Sequence, residues 1–243
     1  MSVKKICLIM AEFLTSLISS ENIFSFWRDN KGGLVLPFSG QAVNDEDWLE
    51  YKRLKVDRNV KSINPKDLPE DFCDEACLLV DEFHRKTVNE KIEWVLYLDY
   101  KTGDVIYCWK GELGECKIDW YNIHLKGRNI VSIHNHTKNY YSFPSPDNFD
   151  ILENDFEDYE IITSVNAFWI IEFKGAIEEE MRYDFQNRLS LYFNKLDIEI
   201  KLKYQDYVTI RKMTERMISE YLLNDIDKKL DGITLVFNKR RYD

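Results

Sequence analysis

The chain has 243 residues, enough to bury a sizeable core, and 44% of them are apolar with six tryptophans, which excludes an intrinsically disordered chain. Its 33 Lys and Arg against 43 Asp and Glu leave a net charge of -10, which argues against nucleic acid as a general partner. No run reaches the roughly 18 to 20 apolar residues of a membrane-spanning helix, so no membrane partner is expected.

In chain order, Lys4-Lys5 followed by Ile6 to Ala11 opens like a secretory signal, but Glu12 interrupts the run and no small-residue cleavage site follows. The spacing of Ile6, Met10, Phe13 or Leu14, and Leu17 instead predicts an amphipathic helix. A short strand is expected around Leu34 to Pro37, then a polar, charged stretch from Asn44 to Pro65. Behind Asp67-Leu68-Pro69, a start signal, Phe72, Ala76, Leu79, Val80 and Phe83 recur at helical spacing. Trp94 to Leu98, a turn at Lys101-Thr102-Gly103-Asp104, and Val105 to Trp109 read as a hairpin. After a connection containing His124 comes a strand from Ile130 to His136, then a short helix from Asp147 to Glu153. Strands at Glu160 to Thr163 and Phe168 to Phe173 follow. The tail reads as two helices and a strand: Phe185, Leu189, Tyr192 and Leu196 mark one apolar face, Ile210, Met213, Met217 and Tyr221 another, and Gly232 to Phe237 the strand. Methionines and aromatics at this spacing are assigned to packing.

The order helix, hairpin, strand, helix, hairpin defines an α/β or α+β class with a mixed sheet flanked by helices. Three regions follow: an N-terminal extension over 1–64, a central domain over 65–175, and a C-terminal helical region over 176–243 packed on that domain. Cys7, Cys73, Cys77, Cys108 and Cys116 are odd in number and lie in no close-spaced ligand pattern. They read as reduced thiols of a cytoplasmic protein, with Cys108 and Cys116 retained as candidates for a metal site.

The most informative segment is Ile130-Val131-Ser132-Ile133-His134-Asn135-His136, which holds two of the four histidines. As a strand it projects Ser132, His134 and His136 on one face and Val131, Ile133 and Asn135 on the other. Two imidazoles on one face can share an ion, and the loop after them supplies oxygen groups from Ser145, Asp147 and Asn148. That donor set describes a mononuclear zinc site, Zn²⁺. The competing reading is a half-buried strand whose histidines only hydrogen-bond. His84, on the polar side of its helix, and His124, in a connection, are expected to have no catalytic role. A phosphoesterase pattern opening with His-x-His would need further histidines downstream, and none follows His136.

His134-Asn135-His136-Thr137, seven further residues, and Ser145-Pro146-Asp147-Asn148 resemble the His-x-His-Pro-x7-Ser-x-x-Asp signature of the JAB/MPN (JAMM) metalloproteases. Glu93 to Asp99, followed by a hairpin turn, is similar to the glutamate-bearing strand of RadC-like members, and the Ser-Phe-rich loop looks like JAB-like domains of phage and prophage proteins. The resemblance covers about residues 65–175. It implies a cytidine-deaminase-like mixed sheet and a zinc-dependent hydrolase that cleaves a peptide or isopeptide bond. His134, His136 and a carboxylate, Asp147 by choice and Asp150 as a second option, would hold Zn²⁺. Glu93 would be the general base, with Glu90 as rival, and Ser145 would donate to the oxyanion. Two identities depart from the signature: Thr137 stands where it has proline, and Asn148 where it has the acidic ligand. An asparagine carbonyl is a poor zinc ligand, so a catalytically inactive JAB-like scaffold is the alternative. The partners implied are a protein or peptide substrate and, for the scaffold, a protein bound through the C-terminal helices.

Overall fold

Four α-helices and six strands make up the described part of the chain: α1 (Asp45–Arg53), α2 (Asp74–Thr87), β1 (Trp94–Asp99), β2 (Val105–Lys110), β3 (Ile130–Asn135), β4 (Glu157–Thr163), β5 (Ala167–Phe173), α3 (Glu179–Lys203), α4 (Tyr207–Asn224) and β6 (Leu235–Arg241). A 3₁₀ turn at Pro65–Asp67 precedes α2. This computed structural model describes residues 45–111, 129–138, 141–145, 157–173, 179–224 and 235–241. The helices expected near the N-terminus and at Asp147 to Glu153, the strand at Leu34 to Pro37, and Cys7, Cys116 and His124 lie outside those residues.

The strands form one sheet in the order β2-β1-β3-β4-β5-β6, antiparallel except for the parallel β3/β4 pair, so the mixed α+β class is observed. A parallel pair requires a crossover connection, and the segment after His136 begins it. The β1/β2 hairpin turns as read. Asp99 Oδ1 accepts from the amides of Lys101 (2.9 Å) and Thr102 (3.2 Å), and Gly103 adopts φ +78°. A side chain on Gly103 would also meet α2, because its Cβ would lie 2.5 Å from that of Glu75.

Each face of the sheet carries its own core. On one face α2 packs Ala76, Val80 and Phe83 against Trp94, Leu96, Leu98, Val131, Ile133, Ile161, Phe168 and Ile170. α2 begins at Cys73, whose sulfur accepts from the amide of Ala76, and carries Asp74 and Glu75 in its first turn and Arg85 and Lys86 in its last, as the helix dipole favours. On the other face α3 and α4 lay Leu189, Leu196, Ile218, Tyr221 and Leu222 on Ile162, Trp169 and Ile171.

Several sequence readings shift. The stretch from Asn44 to Pro65 contains α1, a helix so polar that only Trp48 and Tyr51 advertise its inner side, where Tyr51 stacks on Trp48 and Phe83. β4 starts at Glu157 rather than Glu160, because pairing with β3 reaches back to Ile130. β6 runs to Arg241, since its partner β5 extends from Ala167 to Phe173 and pairing sets the length. The buried stripe of α4 is Thr214, Ile218, Tyr221 and Leu222, one position round from the methionine face. His84 is buried against the α2 core rather than on a polar side, and burial lowers its pKa to about 4.

Candidate metal centre

β3 alternates as its residue types dictate. Val131 and Ile133 enter the core under α2, and Ser132 and His134 take the opposite face. His136 lies one residue past the strand end. Its amide still donates to the carbonyl of Thr163 (2.8 Å), which keeps the chain on the strand's line. The two imidazoles are 8% and 7% exposed and sit with ring centroids 5.1 Å apart at an interplanar angle of 47°.

Asn135, between them, points the other way and fixes the register. Its Oδ1 accepts from the amide of Trp94 (2.7 Å), and its Nδ2 donates to the carbonyls of Thr87 and Ile92 (3.1 Å each). One buried amide therefore ties the end of α2, the entry to β1 and the end of β3 behind the histidine pair.

Each ring has a partner beside Nδ1. His136 Nδ1 lies 2.6 Å from the carbonyl oxygen of Tyr141, and a carbonyl only accepts, so Nδ1 carries the hydrogen and Nε2 the lone pair. His134 Nδ1 lies 3.3 Å from Oε1 of the buried Glu160 in β4. Burial lowers the pKa of both rings; His136 lowers that of His134 further, whereas the Tyr141 carbonyl and Glu215 work against burial at His136. Burial thus favours the neutral form of both rings, the state a metal ligand requires.

The same face continues as a buried polar row. Ser132 Oγ donates to Glu157 Oε2 at 2.9 Å, and Ser132 pairs in register with Glu160. Burial pushes the Glu157 carboxyl up to about 8, opposed by hydrogen bonds from Ser132 and Tyr97.

Glu93 immediately precedes β1. The β1/β3 ladder ends at the pair Val95 and His134, two residues short of Glu93 and His136. Glu90 sits in the turn after α2, its amide bonded to the carbonyl of Thr87. Ser145 is half-buried at the end of a segment whose Phe143 is packed among the C-terminal helices. Asp147, Asn148 and Asp150 lie outside the described residues. Cys108 packs in the core under α2, on the opposite side of the sheet from the histidines, so it does not join them. Among the described residues no group of three or more His, Cys, Asp or Glu side chains is arranged to hold a metal ion.

The structure thus brings together His134 and His136. Two buried imidazoles, His136 anchored through Nδ1 and His134 beside Glu160, are a donor pair that fits zinc, and an outer partner on each ring is the usual accompaniment of such ligands. Glu160, Glu157, Tyr141 and Glu215 were not singled out by the sequence. The available signal was two glutamates in a strand, Glu157 and Glu160, flanking apolar neighbours destined for burial.

The molecule is a mixed α+β fold with a buried histidine pair at the C-terminal end of a central strand. No family model, curated protein or solved structure matches the chain. Among the described residues no helix is long and apolar enough to cross a membrane.

Proposed function

We propose that the chain is a zinc-dependent hydrolase of the JAB/MPN type that cleaves a peptide or isopeptide bond. The observation that carries this reading is the pair His134 and His136, buried side by side at the end of β3, with His136 Nδ1 given to the Tyr141 carbonyl and Nε2 as its lone-pair nitrogen, and His134 Nδ1 beside Glu160. Asp147 would supply the third, carboxylate ligand. A bound zinc supplies a Lewis acid beside the scissile carbonyl and a lowered pKa for water. Glu93 takes the proton of the attacking water and returns it to the departing amine nitrogen as the C–N bond breaks. Ser145 donates a hydrogen bond to the oxygen that gains charge. The cytoplasm, a protein or peptide substrate and the division into a 65–175 domain with flanking additions belong to the same proposal.

The second reading is a JAB-like scaffold without catalysis. Asn148, a neutral amide at the signature's acidic position, favours it. So does the outer surface of α3, where Leu191, Ile198 and Leu202 are exposed, continued by Tyr207 and Val208 at the start of α4.

The test is the zinc content of the untagged chain beside His134→Ala/His136→Ala. About one zinc per wild-type chain, lost in the variant, is expected, followed by cleavage of a fluorogenic peptide or isopeptide that Glu93→Gln abolishes. A folded wild type that takes up no added zinc overturns the hydrolase and leaves the scaffold.

A further inference from the structure

We infer that α4 is the positioning element of the metal centre: Arg211 and Glu215 clamp the loop that sets the orientation of the His136 ring. The inference rests on the reading of His136 as a zinc ligand. The ring itself is held by a backbone carbonyl, that of Tyr141, and a carbonyl can orient an imidazole only as well as its own loop is held.

The loop is held mainly from outside the sheet. Glu215 accepts from both donors of Ser142, the amide to Oε2 at 3.0 Å and the hydroxyl to Oε1. Ser142 directly follows the residue whose carbonyl holds His136. One turn earlier on the same face of α4, Arg211 Nη2 donates to the carbonyl of Lys138 at 2.9 Å, and its guanidinium lies 5.8 Å from the centre of the Tyr141 ring. The two side chains therefore grip the segment on both sides of Tyr141. Glu215 is anchored in turn from the sheet. Lys239 of β6 lies 3.6 Å from Glu215 Oε1, donates to Ser219 Oγ at 2.9 Å and sits over the Trp169 ring. Aromatic packing seats the rest of the loop, since Tyr141 stacks on Phe143 (4.9 Å) and Phe143 meets Phe193 of α3 edge-on (5.6 Å).

A carboxylate that accepts twice from one residue specifies position as well as attachment, because rotation of the loop would break one bond to keep the other. The chain of contacts is continuous: α4 fixes Ser142, Ser142 fixes the Tyr141 carbonyl, and that carbonyl selects the tautomer and tilt of His136.

The experiment uses the full chain with Arg211→Ala, Glu215→Ala and Glu215→Gln. Arg216→Ala is the control, an exposed residue of the same helix that pairs along it with Glu220. Zinc affinity is read by competition with a chromophoric chelator, and the tautomer of His136 by ring ¹⁵N shifts in the zinc-free protein. Arg211→Ala and Glu215→Ala are expected to weaken zinc about 10- to 100-fold, as loss of outer partners does, and to turn the His136 Nδ1–H form into a mixture. Glu215→Gln, which keeps an oxygen acceptor, should recover part of the loss, and Arg216→Ala should change neither readout. Unaltered affinity in the clamp variants, equal loss in the control, or weakened affinity with an unchanged tautomer overturns the inference. Should Glu215→Ala fail to fold, Arg211→Ala and Glu215→Gln decide it. A wild type that binds no zinc refutes the ligand reading alone, and the tautomer comparison still judges the clamp.

Discussion

Replacing Glu157 with glutamine removes a carboxyl that the fold holds in its neutral form. Glu157 is 5% exposed, and burial raises its pKa from the ordinary 4.5 to about 8. A group raised in the folded state stabilises fully below its unfolded pKa, and that contribution is lost as pH rises through the folded value. Between pH 4.5 and about 8 the folded wild type therefore binds more protons than the unfolded chain, and stability falls with rising pH. At about 1.4 kcal/mol per pKa unit the full span sets a ceiling of about 5 kcal/mol. Glu157→Gln keeps the shape and a carbonyl acceptor for Ser132 and does not titrate. The variant should match wild type within about 1 kcal/mol at pH 4.5 and exceed it by about 2 to 5 kcal/mol at pH 9. His84 acts with the opposite sign. Its pKa falls from 6.5 to about 4, so its contribution grows as pH rises through that window. It is present in both proteins and cancels in the difference. Urea unfolding followed by tryptophan fluorescence at five values between pH 4.5 and 9 measures the gap. A gap constant across the range, or one that widens toward acid, would refute a buried protonated Glu157.

Asn135→Ala removes the acceptor of the Trp94 amide and the donor to two carbonyls inside the core, and should cost about 2 to 4 kcal/mol in urea unfolding. A loss under about 1 kcal/mol would show that this amide does not tie β1, α2 and β3 together. Gly103→Ala meets both a positive φ and a Cβ contact of 2.5 Å with Glu75, so a loss of about 1 to 3 kcal/mol is expected, with a lowered melting temperature as the readout. An unchanged melting temperature would mean that the hairpin is free to move off α2. Glu160→Gln should weaken zinc binding about tenfold or more while the circular dichroism spectrum is kept, since it weakens the partner of His134 Nδ1. Equal affinity in the chelator assay would remove Glu160 from the centre.

How much the sequence discloses depends on which physical term decides each element. The β1/β2 hairpin and β3 were legible because short runs of apolar, β-branched and aromatic residues and the turn residues Asp99 to Asp104 are local signals. The face assignment of Ser132 and His134 against Val131 and Ile133 follows from alternation alone. α1 was not legible, because its inner side is two aromatic residues that gain meaning only against Phe83 and Trp94. The burial of His84 was hidden for the same reason: a helix with Arg85 and Lys86 beside it looks solvated there until tertiary packing turns that side inward. At the site, the histidine pair was visible as a motif. The groups that orient the rings were not visible, because Glu160 belongs to a strand paired across a crossover and Glu215 lies 79 residues beyond His136.

That separation in sequence has a mechanical consequence. His134 is oriented from β4, inside the sheet, whereas His136 is oriented from a loop gripped by α4 and, through Lys239, by β6. The two rings thus depend on different parts of the fold, although both sit at the end of one strand. Ile162, Trp169 and Ile171 are covered by α3 and α4, and β5 is paired by β6, so loss of residues 176–243 would uncover an apolar face and a strand edge together. The same loss would release the His136 carbonyl anchor while leaving Glu160 beside His134. An ion shared by the two rings needs both orientations at once. Its affinity is therefore expected to report the docking of the C-terminal helices on the sheet, and to fall before the sheet itself comes apart.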